Sequence, residues 1–220
     1  MEYTTQNNSA QIVGEITTPP AFSHRHFDED FFVFTVRVPR LSGVGDFINV
    51  TISEKLICAL ELEEGTMVEV SGQYRSYNNY SGKGSKLVLS LFARDIKLGA
   101  DIEHIDNPNA ITLDGYICKP PVYRTTPFSR EIADILLAVN RSYGKSDYIP
   151  CIVWGRNAKF ASSLEVGAHI RLSGRIQSRE YQKKYEDGSL ETKTAFEISV
   201  SKLDVIDAAE TPETGGSLES

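Results

Sequence analysis

Between residues 169 and 181 the chain reads HIRLSGRIQSREY, with apolar and polar positions alternating. Ile170, Leu172 and Ile176 fall on one face of a strand, while His169, Arg171, Ser173, Arg175, Gln177, Arg179 and Tyr181 fall on the other. Gly174 breaks the alternation and predicts a bulge or a close backbone approach. Extended along the second half, the pattern predicts strands near 109–118, 131–141, 146–154, 168–180 and 192–205, and one short helix near 156–163. The strand at 146–154 differs from the others. Ile149, Cys151 and Val153 point one way; Tyr148, Pro150, Ile152 and Trp154 point the other. A half-buried strand shows water a polar face, so this apolar and aromatic second face calls for a cover or a ligand.

The pattern repeats at half the chain length. IVGEITTPPAFS at 12–23 matches LDGYICKPPVYR at 113–124, placing Gly14 on Gly115 and Pro19-Pro20 on Pro120-Pro121 at a shift of 101. Arg40, Gly43 and Asp46 match Arg141, Gly144 and Asp147 at the same shift. LEEGTMVEVSGQYRS matches LEVGAHIRLSGRIQS at a shift of 102, with Gly72 on Gly174 and Ser76 on Ser178. Two copies of one domain follow. Five strands with a short helix between the third and fourth fit a small Greek-key barrel, the OB-fold. The chain is therefore read as all-β, with two tandem OB-fold barrels. The first domain spans 1–97, a linker 98–108 and the second domain 109–206. Residues 207–220, DAAETPETGGSLES, are small, acidic and without aromatics, which predicts a disordered tail.

Charge changes the picture only when it is divided. The net charge of −7 opposes a role with nucleic acid, yet 109–206 carries +3, and the acidity sits in the first domain, the linker and the tail. A polyanion meets the local field of a groove, not the total. No run of about 18 apolar residues predicts a membrane span, and the polar start MEYTTQNNSA lacks a signal core. The expected location is the cytoplasm. Cys58, Cys118 and Cys151 are far apart and form no CxxC pair, so they read as small apolar residues.

The candidate chemistry is a constellation. Tyr148 and Trp154 on the third strand of the second copy join Arg171, Arg175, Arg179 and Tyr181 on the fourth. Arg141, Tyr143 and Lys145 close the second strand; Tyr123, Arg124 and Arg130 sit in the loop before it; Lys183, Lys184 and Tyr185 follow the fourth. Interleaved aromatic and basic residues on one barrel face suit single-stranded nucleic acid, where bases stack on rings and cations track phosphates. Aromatics and arginines are also enriched at protein interfaces, so an assembly or loading factor working mainly through protein contacts stays open. So does an accessory domain for structured RNA.

As a whole, the second copy resembles the bacterial single-stranded DNA-binding protein family. The likeness rests on LDGYICKPPVYRTTPFSREIADILLAVNR, DYIPCIVWGRNAKFAS and VGAHIRLSGRIQSREYQ, and covers nearly all of 109–206. It implies base stacking on Tyr143, Tyr148, Trp154 and Tyr181, with a basic contact at Arg156, in protection of exposed strands during replication, repair or recombination. The first copy departs from this set. Ser42, Ser53 and Asn79 stand at three of the four aromatic positions, leaving Phe47, Arg75 and Tyr77 as its candidates. A weaker or structural first site is expected. Two OB domains per chain imply a homodimer presenting four. The chain ends GGSLES, without the Pro-Phe tip through which the family recruits replication and repair partners.

No catalytic residue is assigned. The sequence has no nucleophile elbow, phosphate-binding Gly loop or zinc spacing. His24, His26, Asp28, Glu29 and Asp30 crowd SHRHFDED, but their counterpart TTPFSRE lacks such ligands, so a solvated loop is the reading. Neither a metal nor a cofactor is expected.

Overall fold

A computed structural model of the chain describes residues 7–58, 60–79, 87–102, 105–126, 128–185 and 188–206. The segment read as a disordered tail, 207–220, lies outside them. The first copy forms β1 (Asn8–His26), β2 (Glu29–Pro39), β3 (Gly45–Ser53), α1 (Glu54–Ile57), β4 (Met67–Asn78) and β5 (Leu87–Leu98). The second forms β6 (Asn109–Ile117), β7 (Val122–Thr125), β8 (Glu131–Asn140), β9 (Ser146–Trp154), α2 (Arg156–Ser162), β10 (His169–Lys184) and β11 (Leu190–Val205).

Each copy closes on itself. β1 pairs with both β2 and β4, and β3 meets β5 in parallel. In the second barrel, β6 pairs with both β8 and β10, and β9 meets β11 in parallel. The alternation that predicted the strands is the alternation that fills the barrels. Along β4, Val68, Val70 and Tyr74 are buried while Glu69, Ser71 and Gln73 lie between them, partly exposed. Closure needs glycine in the fourth strand of each copy, as it does in the first, where a Cβ on Gly14 or Gly115 would stand 2.3 or 2.4 Å from a carbonyl oxygen. The register slips between Ser71 and Gly72 and between Ser173 and Gly174. A Cβ on Gly72 would stand 2.0 Å from the Phe92 carbonyl oxygen, and one on Gly174 2.2 Å from that of Ser199.

The two barrels share one eleven-stranded sheet, because β1 also pairs with β6. That pairing runs antiparallel from Asn8 opposite Leu113 to Ile12 opposite Asn109, with Ala10 facing Ile111. At the repeat shift of 101, Ala10 and Ile111 are each other's counterparts, so they mark a local two-fold axis relating the copies. Each copy also ties its first strand to its own fourth in the same way. The Asn8 side chain bonds both backbone groups of Tyr74, at 2.7 and 2.8 Å, and the Asn109 side chain does the same for Ile176. One continuous apolar core runs through both barrels.

The strands extend further than alternation foretold. β10 and β11 continue as a two-stranded ribbon to Lys184 opposite Leu190, and β7 lies on the edge of β8 where a plain loop was read. Both segments are exposed on both faces, so no buried side imposes a period of two on the sequence.

Candidate nucleic-acid interface

Two buried aspartates organise the surface where the barrels meet. Asp46 stands in β3 and Asp147 in β9, each at the start of its strand. Asp147 accepts the backbone N–H of Ser76 at 2.7 Å, Arg75 at 3.0 Å and Arg141 at 3.1 Å. Asp46 accepts the N–H of Ser178 at 2.9 Å, Arg175 at 2.8 Å and Arg40 at 2.7 Å. Two further bonds cross between the barrels. The Tyr148 N–H donates to Ser76 Oγ at 2.7 Å, and the Phe47 N–H donates to Ser178 Oγ at 2.8 Å. Each copy therefore caps the fourth strand of the other. The hydrogen bond to Asp46 holds Arg40 above the ordinary arginine range, whereas burial, with Arg40 close by, pulls Arg175 below it.

This network reassigns several cations. Arg75, Arg141 and Arg175, read from the sequence as phosphate contacts, are committed to the inter-barrel carboxylates. Arg124 pairs with Asp134 at 2.6 Å, Arg171 with Asp114 at 2.9 Å and Arg179 with Glu197 at 3.4 Å. Alternation along β10 could place these side chains on the outer face; it could not show which acids the neighbouring strands bring opposite them. Among the described residues, Arg156, Lys184 and Lys145 have no acidic partner, while Lys183 stands opposite Glu191 and helps hold that carboxyl below the usual range, after Tyr185 and Lys193. Lys183 Nζ lies 4.9 Å from the Tyr185 ring on the β10–β11 ribbon.

The aromatic set is exposed but divided. Tyr143 is 98% exposed in the turn between β8 and β9, where it takes a left-handed backbone with φ of 63°. Tyr148, Tyr181, Phe47 and Tyr77 are each close to half exposed. Tyr181 stands on the ribbon, with the Arg179 guanidinium 6.0 Å from its ring centroid. Trp154 is partly buried and its indole N–H donates to Ser199 Oγ at 3.1 Å. Ile152, expected on the open face of β9, is buried. Tyr143 does not join Trp154. It lines a groove of about 1090 Å³ in front of the first barrel, with Lys145 and with Phe27, Tyr77 and Phe92 of the first copy. Sequence reasoning missed Phe27 and Phe92. A further concavity beside Trp154 is lined by Thr125, Ser129, Arg130 and Glu131. Two of the three acids of the SHRHFDED loop are engaged. Asp30 holds Arg25, and Glu29 holds Lys55 at 3.1 Å and the Ser53 hydroxyl. Those bonds, Ser53 first, keep the Glu29 carboxyl below the usual range.

Residues 108–206 match the model of the single-strand binding protein family. That match spans the second barrel, which is similar to the members of this family. Among its relatives, single-stranded DNA-binding protein 1 of Staphylococcus aureus is 37% identical over 81 residues, which are 34% of this chain and 48% of that protein. Single-stranded DNA-binding protein A of Bacillus subtilis is 35% identical over 81 residues, 34% of this chain and 47% of that protein. The chain thus spans about half the length of the curated relatives it matches. The fold of the whole chain resembles the single-stranded DNA binding protein from Thermus aquaticus, with a TM-score of 0.73 at 17% identity, covering 96% of this chain and 98% of that one. That likeness extends the OB architecture of the single-strand binding domain to the first copy. Among the described residues, no helix is long and apolar enough to cross a membrane.

Proposed function

We propose that this protein binds single-stranded DNA largely independently of sequence, protecting exposed strands in replication, repair or recombination. The observation that carries the reading is a barrel matching the single-strand binding family and bearing solvent-exposed rings beside unpaired cations. Tyr143, Tyr148 and Tyr181 offer faces on which any base can stack, and Arg156 and Lys184 offer charge that has no acidic partner among the described residues. Base–aromatic stacking contributes about 1–3 kcal/mol per base and tolerates any sequence. The protein acts as a binder and not as a catalyst, in the cytoplasm, as a homodimer presenting four barrels; sedimentation equilibrium finding a monomer would remove that last part.

The test uses the only tryptophan of the chain. Trp154 emission is followed during titration with oligo-dT and with duplex DNA at several salt concentrations. Quenching by oligo-dT, weakened by salt and absent with duplex, is the expected result. An unchanged emission with both would favour the assembly-factor reading, in which the aromatic face meets protein.

A further inference from the structure

The β8–β9 turn that carries Tyr143 is held at both ends by the first copy. On entry, the Asn7 side chain donates to the Asn140 carbonyl oxygen at 2.7 Å. On exit, Ser76 grips two consecutive residues of β9. Its N–H donates to the Asp147 carboxylate at 2.7 Å, and its Oγ accepts the Tyr148 N–H at 2.7 Å. Arg75, next to it on β4, reaches the other oxygen of Asp147 at 3.0 Å. Asp147 in turn holds Arg141 at 3.1 Å, and the Arg141 N–H closes the turn on the Lys145 carbonyl oxygen at 2.8 Å.

The turn needs such support. Tyr143 and Gly144 are consecutive left-handed residues, with φ of 63° and 65°. A tyrosine keeps that conformation only where its surroundings over-determine it. Ser142, Tyr143, Gly144 and Lys145 are all exposed, so the restraint enters at the two ends, where Asp147 and Ser76 are buried. The same clamp runs the other way with a different load. Ser178 bonds Asp46 and the Phe47 N–H just as Ser76 bonds Asp147 and Tyr148. The β2–β3 turn it steadies carries Ser42 where the other carries Tyr143, and Pro108 stands at the counterpart of Asn7, with no side-chain donor.

We propose that Ser76, with Arg75 and Asn7, is a positioning residue for strand binding at the second barrel: it fixes, before a strand arrives, the backbone from which the Tyr143 and Tyr148 rings project. All three act through the backbone and carboxylate of the second copy, not on the strand. The proposal rests on the single-strand reading above and gives the first copy a task in it that needs no binding site of its own. Rings already held in the free protein lose less freedom on binding. Loosening them therefore costs affinity while the number of neutralised phosphates, and with it the salt slope, stays the same.

The two-fold supplies the control. Ser76→Ala removes the acceptor of the Tyr148 N–H, and Ser178→Ala removes the matching acceptor of the Phe47 N–H. Oligo-dT affinity, its salt slope and the melting temperature are measured for both. The two variants should lose similar melting temperature. Ser76→Ala alone should weaken binding, by up to about tenfold, with its salt slope unchanged, and Ser76→Thr, which keeps the acceptor oxygen, should restore the affinity. Equal affinities in the two alanine variants, whether kept or lost, would overturn the positioning role and leave the single-strand function standing. An unaltered chain that does not bind oligo-dT would remove the function and the role together.

A second measurement separates positioning from contact, because Ser76 itself lines the groove in which Tyr143 stands. In a Tyr143→Ala/Tyr148→Ala background, Ser76→Ala should cost no further affinity, since the rings it positions are gone. A loss as large as in the unaltered background would make the Ser76 hydroxyl a strand contact and overturn the proposal.

Discussion

Arg75 of the first barrel donates to Asp147 of the second at 3.0 Å, and that carboxylate is wholly buried. Asp147 also receives Arg141 and the Ser76 N–H, so one side chain satisfies three donors drawn from both copies. Its counterpart Asp46 does the same for Arg40, Arg175 and the Ser178 N–H. The repeat has kept the aspartate and moved the arginine. Arg75 bonds Gln73 in the first copy, and Arg175 bonds Gln177 in the second, with the two residue types exchanged along the strand. The barrels are thus tied by charge as well as by the β1–β6 pairing.

Removing one of these carboxylates leaves two guanidiniums and an amide without their shared acceptor. Asp147→Ala should cost about 3–5 kcal/mol, the usual penalty for breaking a buried pair from one side. Chemical denaturation checks this, and a double-mutant cycle with Arg75→Ala separates the pair from the packing. A coupling energy near zero would mean that the carboxylate acts only through the Ser76 amide.

The glycines of barrel closure predict a steeper loss. Gly174→Ala drives a methyl into the Ser199 carbonyl oxygen at 2.2 Å, and the contact is backbone, which cannot swing aside. Ala at position 43 meets nothing within 4 Å and is limited only by its φ of 82°. Gly174→Ala should therefore lower the melting temperature well beyond Gly43→Ala. Comparable losses in the two variants would show that closure at Gly174 relaxes freely.

Most of the fold was legible because the barrels bury one face of each strand. Ile170, Leu172 and Ile176 had to alternate, and the structure buries all three. The helix read near 156–163 is α2, Arg156–Ser162. Legibility failed where that constraint lapses, as on the β10–β11 ribbon beyond Arg179, which is wet on both sides. For the site, the kinds of residue were readable and their company was not. Arg175 and Lys184 look alike in a sequence; only the second barrel's approach to Asp46 commits the first and leaves the second free. The same holds for Tyr143, whose groove belongs to the other copy.

Alkaline stability follows from two buried acids. Burial pushes the Tyr74 hydroxyl and the Cys151 thiol far above their ordinary values of 10.0 and 9.0. Both keep their protons in the folded chain and lose them in the unfolded one. Their contribution is complete below pH 9 and declines as pH rises past the unfolded values, by up to about 1.4 kcal/mol per pH unit for each group. The Tyr74 hydroxyl also lacks a hydrogen-bond partner. Tyr74→Phe should leave neutral stability unchanged or raised, since an unsatisfied buried hydroxyl costs about 1–3 kcal/mol, and should flatten the alkaline slope. A loss of stability at pH 7 on this substitution would point to a bond that the hydroxyl makes.

Salt dependence separates the free cations from the committed ones. For a single strand, log K falls with log salt at about 0.7 per phosphate neutralised. Lys145 and Lys184 have no acid partner among the described residues, so Lys145→Ala/Lys184→Ala should reduce the slope by about 1.4 while folding is untouched. Arg175 spends its charge on Asp46, which it meets at 2.8 Å. Arg175→Ala should therefore lower the melting temperature and leave the slope where it was. Binding of oligo-dT measured from low to moderate salt, for all three proteins, decides between them. If Arg175→Ala changed the slope as much as the lysine pair, the inter-barrel network would be part of the strand's path and the division of cations drawn from the geometry would be wrong.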